Sequence, residues 1–406
     1  MSAEMLITPV TPEFVQGAVD LEVTERGLMP HRLTPAARRH VNGPVDPTVF
    51  SDPSGVRLRL RTAAEELTLV TWPQKRITEG QPDGPPPVYD VWRSSSPDGE
   101  ADTLHAQLTA EGGTWVVLDP VTGSEISRKE TRPAQLRISG LPARPTLLEI
   151  WLPYQEWTTL VEFRSPAPVE PAGPRPGALR WVHHGSSISH GAVTVGASHA
   201  WPAVAARTLS AASSPVHLTN LGFAGNAKLD PFTARTLREI PADVITLKLG
   251  INVVNGDSHT LRSFTPAVHG FLDTIREGRH AETPLVVISP IWCGIHEDTP
   301  GPVEAYTARD SHGGTIFRAL GDPADTARGR ITLRILRQEL ERIIALRREE
   351  DPHLHFLSGL ELYGESDAAT HPFPDDLHPD TAGHRLIGER FADWALRAGF
   401  PPAAAM

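Results

Sequence analysis

Four short blocks of this chain hold residue types that together can move an acyl group. Gly185-Ser186-Ser187-Ile188-Ser189 presents hydroxyls beside a glycine. Asn220-Leu221-Gly222-Phe223-Ala224-Gly225-Asn226 and Gly250-Ile251-Asn252 present glycines and amides, and Asp375-Asp376-Leu377-His378-Pro379 sets an imidazole three residues after a carboxylate. A serine hydroxyl is a weak nucleophile until a base takes its proton, and the base needs an acid to orient it. An Asp three residues before a His, in a tight turn ahead of a helix, can reach back to Nδ1 while Nε2 faces a serine. The backbone N–H of Gly225 and the side-chain amide of Asn252 can both donate to a developing oxyanion. Asp376 is the alternative to Asp375, one residue away, and Gly222 the alternative to Gly225.

The elements that must position these blocks follow from apolar rhythm. Nearly continuous apolar runs at Leu179–Val182, Val216–Phe223, Val244–Leu249, Leu285–Ile288 and Leu354–Leu357 suit strands covered on both faces. Between them lie helix-like stretches: Trp201–Leu209, Pro231–Ile240, Arg262–Glu277, a long one near Ala324–Glu350, and Asp380–Leu396. In the long one Ile331, Ile335, Leu336, Leu340, Ile343 and Ile344 form one stripe at helical spacing. Alternating strands and helices predict a doubly wound parallel sheet, whose ligands collect beyond the carboxyl ends of the strands. The four blocks fall at such ends.

Earlier in the chain the rhythm is different. Val56, Leu58 and Leu60, then Leu67 and Leu69, alternate with polar residues, and similar runs follow at Pro87–Trp92, Leu104–Leu108, Thr114–Leu118, Leu136–Ile138 and Leu147–Leu152. Short strands of period two predict an antiparallel, jelly-roll-like β-sandwich. Arg164–Ala178 carries five prolines, and fixed φ with missing amide donors predicts an extended linker outside any sheet or helix interior. The expected division is a sandwich over 1–165, a linker over 166–177 and an α/β domain over 178–406.

Composition sets the outer bounds. The chain has 406 residues, a formal charge of -11 and a single cysteine, Cys293, so two domains with real cores are expected and a disulfide scaffold is excluded. Lysine occurs only at 75, 129, 228 and 248, and cations are concentrated nowhere, which argues against nucleic acid as a partner. The N-terminus lacks the pattern of a signal peptide, and no apolar run approaches the ~20 residues of a membrane span; a cytoplasmic location without membrane contact is expected.

The four blocks in this order resemble the SGNH (GDSL-type) hydrolase family over roughly residues 178–398. By motif, Ser187 falls on the family's nucleophile, Gly225 and Asn252 on its oxyanion glycine and asparagine, and Asp375 and His378 on its orienting acid and base. The amide of Ser187 joins the oxyanion hole. The resemblance implies a flavodoxin-like three-layer α/β/α domain and an acyl-enzyme formed from an acyl ester or thioester, without a cofactor. Water resolving that intermediate makes an esterase, and an alcohol acceptor makes an acyltransferase. A sandwich ahead of such a domain is similar to some carbohydrate esterases and to a polyketide-tailoring acyltransferase. Three positions depart from the family pattern: Ser186 for the usual Asp, Val253 where Asp is common, and Asp376 where Gly often precedes Leu-His-Pro. None removes a reacting group, but each bears on the hydrogen bonding around the nucleophile.

Competing motifs fit less well. Gly185 to Gly191 is one residue too long for a P-loop, Gly222-x-x-Gly225 is half of a dinucleotide fingerprint, and the fifth position of a GxSxG elbow is Ser189. His183, His184, His190, His371 and His378 can gather near one site, yet no HExxH or comparable helical pair points to metal. The rival of another class is a glycan-binding module, with Trp72, Trp92, Trp115, Trp151 and Trp157 as a sugar-stacking face beside a silent second domain. The turn-rich stretch 292–323 is expected to be a lid or binding loop, with Trp292, His296 and Tyr306, and beside them Cys293 and Glu297, as candidate pocket residues.

Overall fold

The computed structural model describes residues 5–41, 50–80, 84–96, 100–307 and 315–400. The chain forms two compact units: one of residues 1–34, 50–175 and 196–198, the other of 35–49, 176–195 and 199–406.

The first unit contains two sheets. In the larger, Glu125–Glu130, Thr114–Leu118, Glu66–Thr78, Trp157–Ser165, Gly27–His31 and Asp20–Thr24 lie side by side, and Leu6–Pro9 and Ala134–Ser139 pair at its margins. The smaller runs Val169–Pro171, Arg57–Thr62, Thr146–Trp151, Val88–Ser94 and Ala101–Thr109. Alternation along these strands sends Leu58, Leu60, Leu67, Leu69, Leu148, Ile150 and Phe163 into one core. Two features differ from expectation. The pairing of Glu66–Thr78 with Thr114–Leu118 is parallel in an otherwise antiparallel unit. The proline-rich stretch also contributes an edge strand, Val169–Pro171, paired with Arg57–Thr62. An edge tolerates Pro171 because only one side of the strand must donate. Thr62 Oγ1 donates to the Pro168 carbonyl and Arg59 Nη1 to that of Gly173, which tie the stretch down.

One buried group of this unit stands out electrostatically. Glu156 is fully covered, accepts a long hydrogen bond from Tyr89 Oη at 3.4 Å, and leaves Oε2 without a partner among the described residues. Burial pushes its carboxyl up to about 8.

The second unit is built on five parallel strands in the order Val216–Gly222, Leu179–Gly185, Val244–Lys248, Leu285–Ile288, Leu354–Leu357. This 2-1-3-4-5 order is the flavodoxin-like one. Side chains of the Leu179–Gly185 strand alternate between two helical layers. Trp181 stacks on Phe391 at 5.1 Å and packs near Trp201, so it faces the helices Trp201–Ala212 and Thr381–Ala398. His184 lies against Phe271 of the helix Leu261–Arg276 on the other side. The expected long helix is divided: Pro323–Arg328 is a 3-10 turn, Gly329 takes φ +90°, and the α-helix runs from Leu333 to Arg347. Ile331 is buried just ahead of that helix rather than within it, because the left-handed Gly329 ends the first turn and Thr332 caps the second segment.

Candidate active site

Each block meets a specific backbone demand. The Leu179–Gly185 strand ends in a sharp turn whose tightness fixes its residues: a Cβ on Gly185 would stand 2.3 Å from Ser189 Oγ. Ser186 then caps the one-turn helix Ser187–His190, accepting from Ile188 N at 3.4 Å. Ser187 is the first residue of that helix, so its own N–H has no intrahelical acceptor.

His378 and Asp375 arrive from the turn ahead of the helix Thr381–Ala398. His378 Nε2 is 2.8 Å from Ser187 Oγ, and His378 Nδ1 is 2.7 Å from Asp375 Oδ2. The second carboxylate oxygen of Asp375 accepts the N–H of Leu377 at 3.0 Å and that of His378 at 2.7 Å. Partial burial pushes the Asp375 carboxyl up, but the contacts with His378 and the two amides outweigh it and hold the group below its ordinary value. With Nδ1–H committed to the carboxylate, Nε2 is the lone-pair nitrogen facing the hydroxyl. Asp376, the sequence alternative, does not meet the imidazole; it sits at φ +65°, the conformation that makes glycine natural there.

The two candidate glycines separate by geometry. Gly222 is a close-packing residue, since a Cβ would lie 2.4 Å from His190 N. Gly225 takes φ +69° and a Cβ there would meet nothing within 4 Å, so its requirement is conformational, and the residue lines the cavity. Asn252 accepts Ala227 N through Oδ1 at 3.1 Å, which orients its amide and leaves Nδ2 as the free donor end. Ser187, Gly225, Asn252 and His378 line one cavity of about 390 Å³.

Next to Ser187 in the chain lies a buried polar network that the sequence did not reveal. His183 bridges Thr246 Oγ1 and Ser189 Oγ, each at 2.7 Å. Trp181 Nε1 donates to Thr246 and Trp201 Nε1 to Ser189. Burial holds His183 well below its ordinary value, so the ring is neutral. His184 and His190 bond through Nδ1 to the carbonyls of Leu221 and Gly222. These histidines are spent on backbone and hydroxyl partners, and among the described residues no group of three His, Cys, Asp or Glu is arranged to hold a metal ion.

The pocket wall differs from expectation. Residues 292–323 hold a two-stranded hairpin, Val303–Thr307 with Thr315–Ala319, and residues 308–314 lie outside the described residues. The cavity is lined by Val303 and Phe317 of this hairpin, with Ala192, Ala224 and Leu377, and by Lys228, Asn255 and Gly256. Trp292, His296 and Tyr306 do not line it. His296 is buried and bonded to the Thr299 carbonyl, Tyr306 lies under the Arg318 guanidinium, and Trp292 packs by Gly294. Cys293 is buried, and Glu297 is paired with Arg337. Alternation explains the miss: register pairs Tyr306 with Ile316, while Val303 and Phe317 belong to the other side of the hairpin. Of the sandwich tryptophans, Trp151 is buried, while Trp72, Trp115 and Trp157 carry Arg26, Lys75 and Arg76 over their rings.

A five-stranded 2-1-3-4-5 sheet with a serine, an imidazole and amide donors gathered at its carboxyl edge defines a serine acyl-ester enzyme. The chain belongs to the GDSL-like lipase/acylhydrolase family, whose profile matches residues 184–386. It is similar across 98% of its length and 98% of the other chain to the salicylyl-acyltransferase SsfX3 from a tetracycline biosynthetic pathway, at 25% identity and a TM-score of 0.76. A protein from Bacteroides ovatus described as a GDSL-like lipase shares the fold at 18% identity, with 99% and 100% of the two chains covered and a TM-score of 0.68. A family two carbohydrate esterase from Cellvibrio japonicus does so at 13% identity, with coverage of 97% and 98% and a TM-score of 0.55. The chain matches no curated protein sequence. Among the described residues no helix is long and apolar enough to cross a membrane.

Proposed function

We propose that the protein hydrolyses a small-molecule or sugar ester through an acyl-enzyme on Ser187. The observation that carries this reading is the continuous hydrogen-bonded line from Asp375 through His378 to Ser187 Oγ. Ser187 Oγ attacks the ester or thioester carbonyl while its proton passes to His378 Nε2, and Asp375 stabilises the imidazolium. The carbonyl oxygen gains negative charge opposite the N–H groups of Ser187 and Gly225 and the Nδ2 of Asn252. The departing alcohol or thiol takes the proton from His378, and a water activated by the same imidazole then releases the acid.

A second reading, transfer of the acyl group to a hydroxyl of a natural product, is favoured by the full-length likeness to a salicylyl-acyltransferase. The two readings share every step up to the acyl-enzyme and divide on what enters next. A fluorophosphonate probe and 4-nitrophenyl acetate test the shared part: wild type is labelled at Ser187 and turns over, and Ser187→Ala does neither. Labelling at another residue overturns the assignment. Acyl-thioester supplied with a panel of alcohols then separates the readings, since transferred product supports transfer and free acid alone supports hydrolysis.

A further inference from the structure

The cavity beside Ser187 is lined by one lysine that no step above uses. Lys228 lines it together with Ala192, Ala224, Val303, Phe317 and Leu377, which are apolar. The ammonium lies over Gly256, where a Cβ would stand 3.1 Å from Nζ and 3.0 Å from Cε. Among the described residues Lys228 takes part in no direct ion pair. Its nearest acidic neighbour in the chain, Asp230, has a carboxyl raised by burial, with Lys228 and His259 opposing the shift. Asn255, on the same cavity wall, has a buried side-chain oxygen without a partner among the described residues. The two ends of that amide exchange by a simple flip, so it can equally turn a donor to the cavity.

A half-buried ammonium that makes no direct ion pair, in a cavity wall with many apolar residues, gains from an anion or water that meets it. We propose that the ester handled here carries an anionic group, a carboxylate or a phosphate, that Lys228 holds within the cavity beside Asn255. This inference rests on the acyl-enzyme reading and adds the substrate's charge to it. The anion can belong to the acyl part or to the alcohol part.

Three esters separate these cases: neutral 4-nitrophenyl butyrate, mono-4-nitrophenyl succinate with the charge on the acyl side, and 4-acetoxybenzoate with the charge on the leaving group. Wild type is expected to favour one anionic ester over the neutral one in kcat/KM. Lys228→Met keeps the apolar stem and removes the charge, and is expected to lower that ratio about tenfold to a hundredfold, the range of one charge-assisted hydrogen bond. Lys228→Arg is expected to retain most of it, and raised salt to erode it. An anionic-to-neutral ratio equal in wild type and Lys228→Met overturns the inference. Should no ester be turned over, the acyl-enzyme reading fails, and calorimetry with succinate and benzoate still decides the anion site. Binding by wild type that is lost in Lys228→Met supports it, and absence of binding to wild type ends it.

Discussion

The ring of Phe317 stands edge-on to the imidazole of His378, with centroids 5.5 Å apart and planes at 77°. The backbone of Phe317 also donates to the Asp375 carbonyl at 3.0 Å. One hairpin residue therefore contacts both Asp375 and His378 and stands in the cavity wall beside the imidazole. Phe317→Ala is expected to raise the ratio of free acid to transferred product severalfold when an acyl-enzyme is offered an alcohol, read by mass spectrometry of both products. An unchanged ratio means that the ring does not govern water entry.

Replacing Asn252, the proposed side-chain oxyanion donor, is the cleanest test of electrostatics at the site. Asn252→Ala is expected to reduce kcat by about 10²–10³ while KM moves little, because the donor faces charge that exists only in the transition state. A loss confined to KM would place Asn252 in ground-state binding instead.

Gly225→Ala puts a side chain into open space but into a left-handed backbone, at a cost of about 1–2 kcal/mol. The variant is expected to fold with a melting temperature a few degrees lower and to lose a disproportionate share of kcat, since relaxing φ swings the amide away from the cavity. Equal losses in stability and activity would argue for a purely structural glycine.

Asp375→Asn keeps the shape and exchanges the charge. It is expected to lower kcat by about 10²–10⁴ through the wrong imidazole tautomer. In wild type the carboxyl is held below its ordinary value, so its contribution to stability is complete above the ordinary Asp range near pH ~4 and disappears as pH falls through the folded-state value. Thermal melts from pH 6 down to pH 3 should show this acid loss in wild type and less of it in the variant.

Glu156 predicts the opposite slope. Its carboxyl is raised to about 8, so the folded state keeps a proton that the unfolded chain releases near pH ~4.3. Stability is full below that point and falls as pH rises toward 8 and beyond, by up to roughly 5 kcal/mol. Glu156→Gln should remove the slope between pH 5 and 8 and melt higher than wild type at pH 8. Parallel melting curves for the two proteins would show that Glu156 is ionised in the fold.

The legible parts of the molecule were those with local signatures. Apolar runs such as Val244–Lys248 announce themselves because both faces of the strand are covered. The Asp375–His378 pair does so because both partners lie in one turn. The cavity wall was harder to read, because it depends on which alternate side chains of a hairpin turn inward. Val303 and Phe317 lie in a Gly- and Pro-rich stretch that resembles a loop, and Lys228 looks like any surface lysine until Gly256 is beneath it. The edge strand Val169–Pro171 was hidden for a different reason: the prolines in and around it argue against a sheet interior and say nothing about an edge.

The hydroxyl and its base are separated by 191 positions of chain. On a ribosome adding about 5–20 residues each second, roughly 10–40 s pass between the making of Ser187 and of His378. Throughout that interval the nascent polypeptide holds a serine with nothing to deprotonate it. On the proposed mechanism acyl chemistry is therefore withheld until residues 375–378 are delivered, and a product cut short ahead of them would be inert toward esters, however well its sheet had formed.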